Sequence, residues 1–581
     1  MSVIEDGAVC KDGRRKKLGT ACAVLIAVLL ACALTALCAC SGDDDQTQGT
    51  SASPTSASSD KVQTFSPSES SASTTLKIAS GSENREAADA IQKAVDSSGV
   101  AVEMHYMGSL DIMGELEDGG GDYDAVWPAS SIWVSMGDTD HVVQDLSSTS
   151  TTPIVFGVKK SKAVELGWVD ESGATKSVST VDIIKAVKAG KLSFSMTSAT
   201  QSNSGASAYL AFLTALSGSD GPITKKDLSD SKLKASVKEL LSGVDRSSGS
   251  SDWLKDMVVE APDSHDAMVN YESLVIAADK ELEAAGKEPL VAIYPSDGIA
   301  ISDSPLGYVD RGQGDDCKSA FDSFQSALGS DECKLLLEKA GRRCGLGGKV
   351  SNADDEEVKQ AFRADWGIDA SADALKAITL PKADVIRTAL RLYQTELRKP
   401  SYTVWVVDYS GSMYGDGKKG VVKGLEEALD PKLSAEVMVQ PTDKDVNVFI
   451  PFSSDVVDVT TAQGTDTDKI LSDSERISAS GGTDIYTGLE EALGYAKTAE
   501  KKGGYTVAIV LMTDGRSMED TRDTFYEDYQ KTGTDTPIFS IMFGDADPEQ
   551  LNELADLSNG KVFDGRSEDL ASVFRQVKGY N

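Results

Sequence analysis

The stretch Val404–Gly417, VWVVDYSGSMYGDG, decides how the C-terminal part of this chain folds. An apolar run ends on Asp408, and hydroxyls follow at Ser410 and Ser412. Alternate side chains along an extended segment point the same way, so these three oxygens converge on one point above the strand end, where a cation fits. The spacing by itself says little in a chain so rich in serine and aspartate. Asp227, Ser229 and Ser231 match it too, but they follow ITKK, with no apolar run to present them. Asp408 instead ends TVWVVD, which has the length and composition of a central strand in a parallel sheet.

The segments around it alternate in the same style. DVNVFIPFSS, YTVAIVLMTDG and TPIFSIMFGD read as strands, and DIYTGLEEALGYAKTA and DLASVFRQVKGY as helices, which predicts a doubly wound α/β unit. Over about residues 401–581 this unit resembles the von Willebrand factor type A domain. Three separated motifs carry the resemblance in order: DYSGSM, SGGTDIYTGL and LMTDG. It implies a metal-ion-dependent adhesion site made of Asp408, Ser410, Ser412, Thr483 and Asp514, holding Mg²⁺ or Mn²⁺. Hydroxyls and carboxylates suit such hard cations. Neutral direct ligands would leave the ion electrophilic, so an acidic side chain of a protein partner would complete its shell.

Outward from that unit, composition sets the limits. A chain of 581 residues is too long for one core, and a formal charge of −35 argues against nucleic acid or anionic lipid as a partner. Only 3 histidines occur, which counts against zinc and histidine-based catalysis. Five of the 8 cysteines fall in the first forty residues. There, Arg14–Lys17 precede an apolar run from Leu18 that ends in Leu37-Cys38-Ala39-Cys40, the layout of a secretory signal. The last four residues resemble a bacterial lipobox, which makes residues 1–40 a lipoprotein signal peptide and Cys40 the lipidated mature N-terminus. The alternative is an uncleaved transmembrane anchor. Either way the remainder is expected outside the cytoplasm, at the cell membrane. Residues 41–75 are rich in Ser, Thr and Asp and are expected to be an unfolded tether.

From residue 76 strands and helices alternate. TLKIAS, AVEMHYM, YDAVWPA and TPIVFGVKK read as strands, and NREAADAIQKAVDSS as a helix with Ala87, Ala88, Ile91, Ala94 and Val95 on one face. The loops ASGSEN, MGSLD and SATQSNSGAS each lead into a helix start, presenting Ser80, Gly81, Ser82, Gly108, Ser109, Asn203, Ser204 and Gly205. Such loops suit small polar or anionic ligands, although Ser, Asn and Gly also favour helix caps for their own sake. The order of these segments over residues 76–349 resembles bacterial extracellular solute-binding proteins, particularly the molybdate-binding-like group. The resemblance implies a two-lobed, periplasmic-binding-protein-like fold. Lobe one would be residues 76–155 plus 290–349 and lobe two residues 156–289, with Ser82, Ser109, Pro128 and Ser204 bordering the ligand cleft. Cys317, Cys333 and Cys344 leave room for one disulfide and one odd thiol. Residues 350–400 read as a helical connector whose Ile386, Ala389, Leu390 and Tyr393 share a face.

These readings combine into a membrane-anchored extracellular binding protein that engages a protein partner through a Mg²⁺-dependent site, beside a solute-binding-like domain. The alternative is a solute-capturing lipoprotein of a transport system with the type A unit as an accessory. No nucleophile–base or general-acid pair stands out, so no enzyme is expected.

Overall fold

The computed structural model describes residues 61–579 except 70, 73, 171–173, 220, 374, 437, 518–520 and 567–569. The signal peptide, Cys40 and the first part of the tether therefore lie outside the described residues. No described helix is long and apolar enough to cross a membrane.

Strands β1 (Val62–Phe65), β2 (Thr75–Gly81), β3 (Ala101–Met107), β4 (Ala125–Trp127) and β5 (Val143–Ser148) belong to a first sheet. Strands β6 (Thr152–Lys159), β7 (Phe194–Thr197), β8 (Val244–Ser248), β9 (Ala267–Tyr271), β10 (Leu290–Ile293) and β11 (Ile301–Ser302) form a second. Strand β12 (Pro305–Val309) then returns to the first, whose order is β1-β3-β2-β4-β12-β5. The second runs β10-β6-β9-β7-β8, with β11 on β6. Each sheet is mixed and covered by helices, as alternating strand and helix segments require. The chain crosses between the two lobes at residues 149–151 and again at 303–304. There Thr149 N donates to the Ser304 carbonyl (3.1 Å) and Ser148 Oγ to the Asp303 carbonyl (2.6 Å), so the two crossings are tied together.

Three sequence expectations are corrected here. The tether was expected to run to residue 75, yet β1 pairs antiparallel with β3 and Phe65 is buried in the first lobe's core. One buried aromatic and four ladder residues suffice to order a stretch whose composition is otherwise that of a linker. The lobe boundary also shifts. Residues 152–155 and 290–302 belong to the second lobe, because β10 and β11 both pair with β6. Finally, Cys317, Cys333 and Cys344 are all free thiols. The Cys333 thiol faces the Ala90 carbonyl (3.6 Å), while burial pushes the Cys344 thiol, beside Glu338, up to about 12. Their surroundings differ, and no pair forms.

Residues 350–400 are sewn onto the second lobe. Ile386, Ala389, Leu390 and Tyr393 are buried together against its core, as the shared face predicts. A third crossing near residue 343 is secured by Arg343, whose Nε and Nη2 contact the two Glu272 carboxylate oxygens at 2.7 and 2.8 Å. Both side chains are wholly shielded from solvent.

The third sheet contains β13 (Ser401–Asp408), β14 (Val446–Phe452), β15 (Thr460–Gln463), β16 (Thr506–Thr513), β17 (Ile538–Met542) and β18 (Lys561–Asp564). Its order is β15-β14-β13-β16-β17-β18, parallel except for β15, with cores on both faces. This is the doubly wound unit expected from the strand pattern. Its last helix, Leu570–Gly579, reaches both lobes. Arg575 Nη1 lies 3.2 Å from Asp111 Oδ1 of the first, and the Arg575 carbonyl accepts from the Gln201 side chain of the second.

Candidate functional site

The chain order reverses between β13 and β16, which leave side by side from the centre of the third sheet, and ligands in doubly wound sheets sit at that point. Asp408 ends β13 and is fully buried. Its Oδ1 accepts from Ser410 N (2.7 Å) and its Oδ2 from the Thr513 hydroxyl at the end of β16 (2.7 Å). Ser410 Oγ lies 3.0 Å from Ser412 Oγ, which in turn donates to Asp514 Oδ1 (2.7 Å). Four of the five expected residues thus form one chain of oxygens. Thr483 arrives on the loop before helix Ile485–Lys502, which is pinned to the first loop by Gly411 N donating to the Gly481 carbonyl (3.0 Å). A Cβ on Gly515 would fall 2.9 Å from Thr483 Oγ1, so glycine beside Asp514 is what lets the threonine close in. The Thr483 hydroxyl makes no hydrogen bond among the described residues. The neighbouring Asp484 is otherwise engaged: it caps its helix, accepting from Tyr486 N and Thr487 N.

Burial pushes both the Asp408 and the Asp514 carboxyls up, and Asp545 adds repulsion at Asp514. No lysine or arginine pairs with either among the described residues. Two carboxylates and three hydroxyls, all oxygen, with desolvated negative charge lacking a counter-ion, fit a small hard divalent cation. The Asp227 match behaves differently. Asp227 accepts from Thr224 in an exposed turn before a helix capped by Asp230, and no strand presents it.

At the seam between the lobes, the four cleft residues come together only in part. Ser109 Oγ accepts from Ala129 N (3.0 Å), next to the buried Pro128. Ser204 Oγ is 2.8 Å from both Thr197 Oγ1 and Ser251 Oγ. Ser82 accepts from Ser250 Oγ across the seam (3.2 Å). These hydroxyls are largely used up within the protein. The seam's core is made of residues that sequence reasoning missed. Arg342 donates to the Glu83 carbonyl (2.6 Å) and to Ser304 Oγ (3.2 Å), and Trp133 Nε1 donates to Asn203 Oδ1 (2.7 Å). Glu83 Oε1, Asn84 Oδ1 and Arg342 Nε are buried without a partner among the described residues, and burial pushes the Glu83 carboxyl up. The one available signal was the tandem Arg342-Arg343 in the stretch KAGRRCG.

The molecule is a two-lobed α/β unit joined to a doubly wound unit with an oxygen-lined site at its strand ends. Residues 403–563 match the model of the von Willebrand factor type A domain family. No curated protein matches the chain in sequence. Among solved structures, the periplasmic binding protein AfuA from Actinobacillus pleuropneumoniae, with fructose-6-phosphate bound, is similar at 14% identity. The match covers 56% of this chain and 99% of that one, with a TM-score of 0.42. The sulfate-binding protein SubI from Mycobacterium tuberculosis H37Rv shares 18% identity over 51% of this chain and 96% of its own, with a TM-score of 0.36. A von Willebrand factor type A protein from Catenulispora acidiphila shares 22% over 32% of this chain and 43% of its own, with a TM-score of 0.26.

Proposed function

We propose that this protein is an extracytoplasmic, membrane-anchored binding protein whose type A domain engages a protein partner through a divalent cation. Cys40 would carry the lipid anchor. Asp408, Ser410, Ser412, Thr483 and Asp514 would hold Mg²⁺ or Mn²⁺, which supplies a Lewis-acidic position for a partner's carboxylate. The observation that carries the reading is the oxygen chain itself: two buried carboxylates linked through Ser410 and Ser412, with no cationic partner and no hydrogen bond to the Thr483 hydroxyl among the described residues. Tyr414, 83% exposed just beyond Ser412, offers the aromatic surface that protein interfaces favour.

Titration calorimetry with Mn²⁺ and Mg²⁺ tests it. Ser412→Ala removes one oxygen without adding charge, and is expected to weaken metal binding about tenfold or more while the far-ultraviolet circular dichroism stays unchanged. Capture of an extracellular protein should fail in chelator and with the variant. Equal capture in chelator would refute the metal-bridged contact.

A second reading, solute capture between the lobes, is favoured by the unpartnered buried atoms of Glu83, Asn84 and Arg342. A small polar or anionic solute satisfying them should raise the melting temperature. No rise across oxyanions, amino acids, sugars and peptides would make the two lobes a scaffold.

A further inference from the structure

Helix Ala383–Leu392 of the connector touches both lobes. Its Ile386, Ala389 and Leu390 are buried in one apolar core that also takes in Leu110, Met113, Trp133 and Met136 of the first lobe. The two helices that carry these last four, Ser109–Glu117 and Ser131–Gly137, are apolar on two sides. Their Ile112, Leu116 and Val134 fill a core within the first lobe, whereas the other four belong to the shared one. Polar contacts run the same way. Arg387 Nη2 donates to Glu117 Oε1 (2.6 Å) and to the Met136 carbonyl (3.0 Å) of the first lobe. From the second lobe, Tyr209 donates to the Ala389 carbonyl (2.9 Å) and Lys225 pairs with Asp384 (2.8 Å). Past Leu392 the helix widens, Arg398 N bonding back five residues to the Tyr393 carbonyl (2.9 Å). There the Gln394 side chain donates to the Gln440 carbonyl of the C-terminal unit (2.9 Å).

Lobes that swing apart about their crossings expose whatever lies between them. Here that would uncover Leu110, Met113, Trp133 and Met136, each no more than 6% exposed, and bringing apolar side chains of this size into water is strongly unfavourable. We propose that residues 383–397 are a strap that holds the two lobes together as one closed body, so that the seam opens only when the strap leaves the first lobe. The strap then leads through Arg398–Pro400 into β13, the strand that ends at Asp408. It is independent of the metal-bridged contact. Solute capture, by contrast, would depend on it, since a solute would reach Glu83 and Arg342 only with the strap released.

The test is hydrogen exchange of the full chain, read by mass spectrometry, with Arg387→Ala compared to the natural protein. The variant removes both polar ties between the strap and the first lobe. Exchange should rise about two- to tenfold in the seam loops of both lobes, residues 80–84 and 201–204, as expected for losing one or two partly exposed contacts. Strands of the third sheet should keep their rates. Glu117→Ala, at a position 39% exposed, leaves the strap itself unaltered and should reproduce the pattern. Unchanged rates in the seam, or faster exchange confined to residues 109–137 and 383–397, would overturn the strap. Should Arg387→Ala fail to fold, Glu117→Ala decides by the same criteria. No solute is added, so the result stands apart from what the seam binds: a melting shift with a solute but natural seam exchange in the variants would refute the strap and leave solute capture intact.

Discussion

Arg343 and Glu272 form an ion pair with no solvent access on either side, and the arginine's remaining donors go to the Gly348, Asp369 and Ser371 carbonyls. Removing one member leaves a buried charge unpaired. Arg343→Met is therefore expected to lower stability by about 3–5 kcal/mol, read by denaturant unfolding. Lys578 makes the opposite case, a partly buried cation that forms no ion pair among the described residues. Burial, with Arg398 adding repulsion and Asp445 only partly offsetting it, brings this lysine from its ordinary 10.5 down to about 8. Between those values the unfolded chain still holds the proton and the folded one does not, so stability rises with pH across the window. The natural protein should gain melting temperature relative to Lys578→Met from pH 8 upward; parallel profiles would show that this lysine's titration is not coupled to folding. At this scale the oxygen-bearing set of Asp408, Ser410, Ser412, Thr483 and Asp514 was legible in the sequence because all five residues lie in three short motifs. Glu83 and Arg342 were not, since they lie 259 positions apart and nothing local marks them as neighbours.

Among the elements, the terminal helix Leu570–Gly579 depends on a glycine of another helix. Gly424, in Asp416–Leu429, lies so close to Phe574 that a Cβ there would sit 2.0 Å from the ring, and Phe574 stacks on Trp405. Gly424→Ala is expected to push the terminal helix outward at a cost of about 1–3 kcal/mol, seen as faster hydrogen exchange over residues 570–579. The helices and central strands were readable because their apolar spacing follows their own geometry, as Ile386, Ala389, Leu390 and Tyr393 demonstrate. Edge strands were harder. β1 lies in polar text, and β15 and β18 are four residues each, too short for a period to register.

For the molecule as a whole, the two faces of the third sheet are filled almost entirely from residues 402–577, with Trp253 of the second lobe as the outside contributor. A fragment of residues 401–581 is accordingly expected to fold alone and unfold in one cooperative step, checked by circular dichroism and calorimetry. Arg575 bridges from this domain to Asp111 of the first lobe while its carbonyl holds Gln201 of the second. Arg575→Ala should free the first lobe, giving a larger radius of gyration by small-angle X-ray scattering with little change in melting temperature. The α/β class, the order of strands and helices and the oxygen set at the end of β13 were all readable from the residues alone, because each is written in local periodicity and short spacing. Long-range packing set the rest: residues 290–302 join the second lobe, β1 belongs to a sheet, the three cysteines are free and the last helix touches both lobes. Those outcomes rest on pairings between segments far apart in the chain, which depend on how the finished surfaces fit and leave no mark in the neighbouring residues.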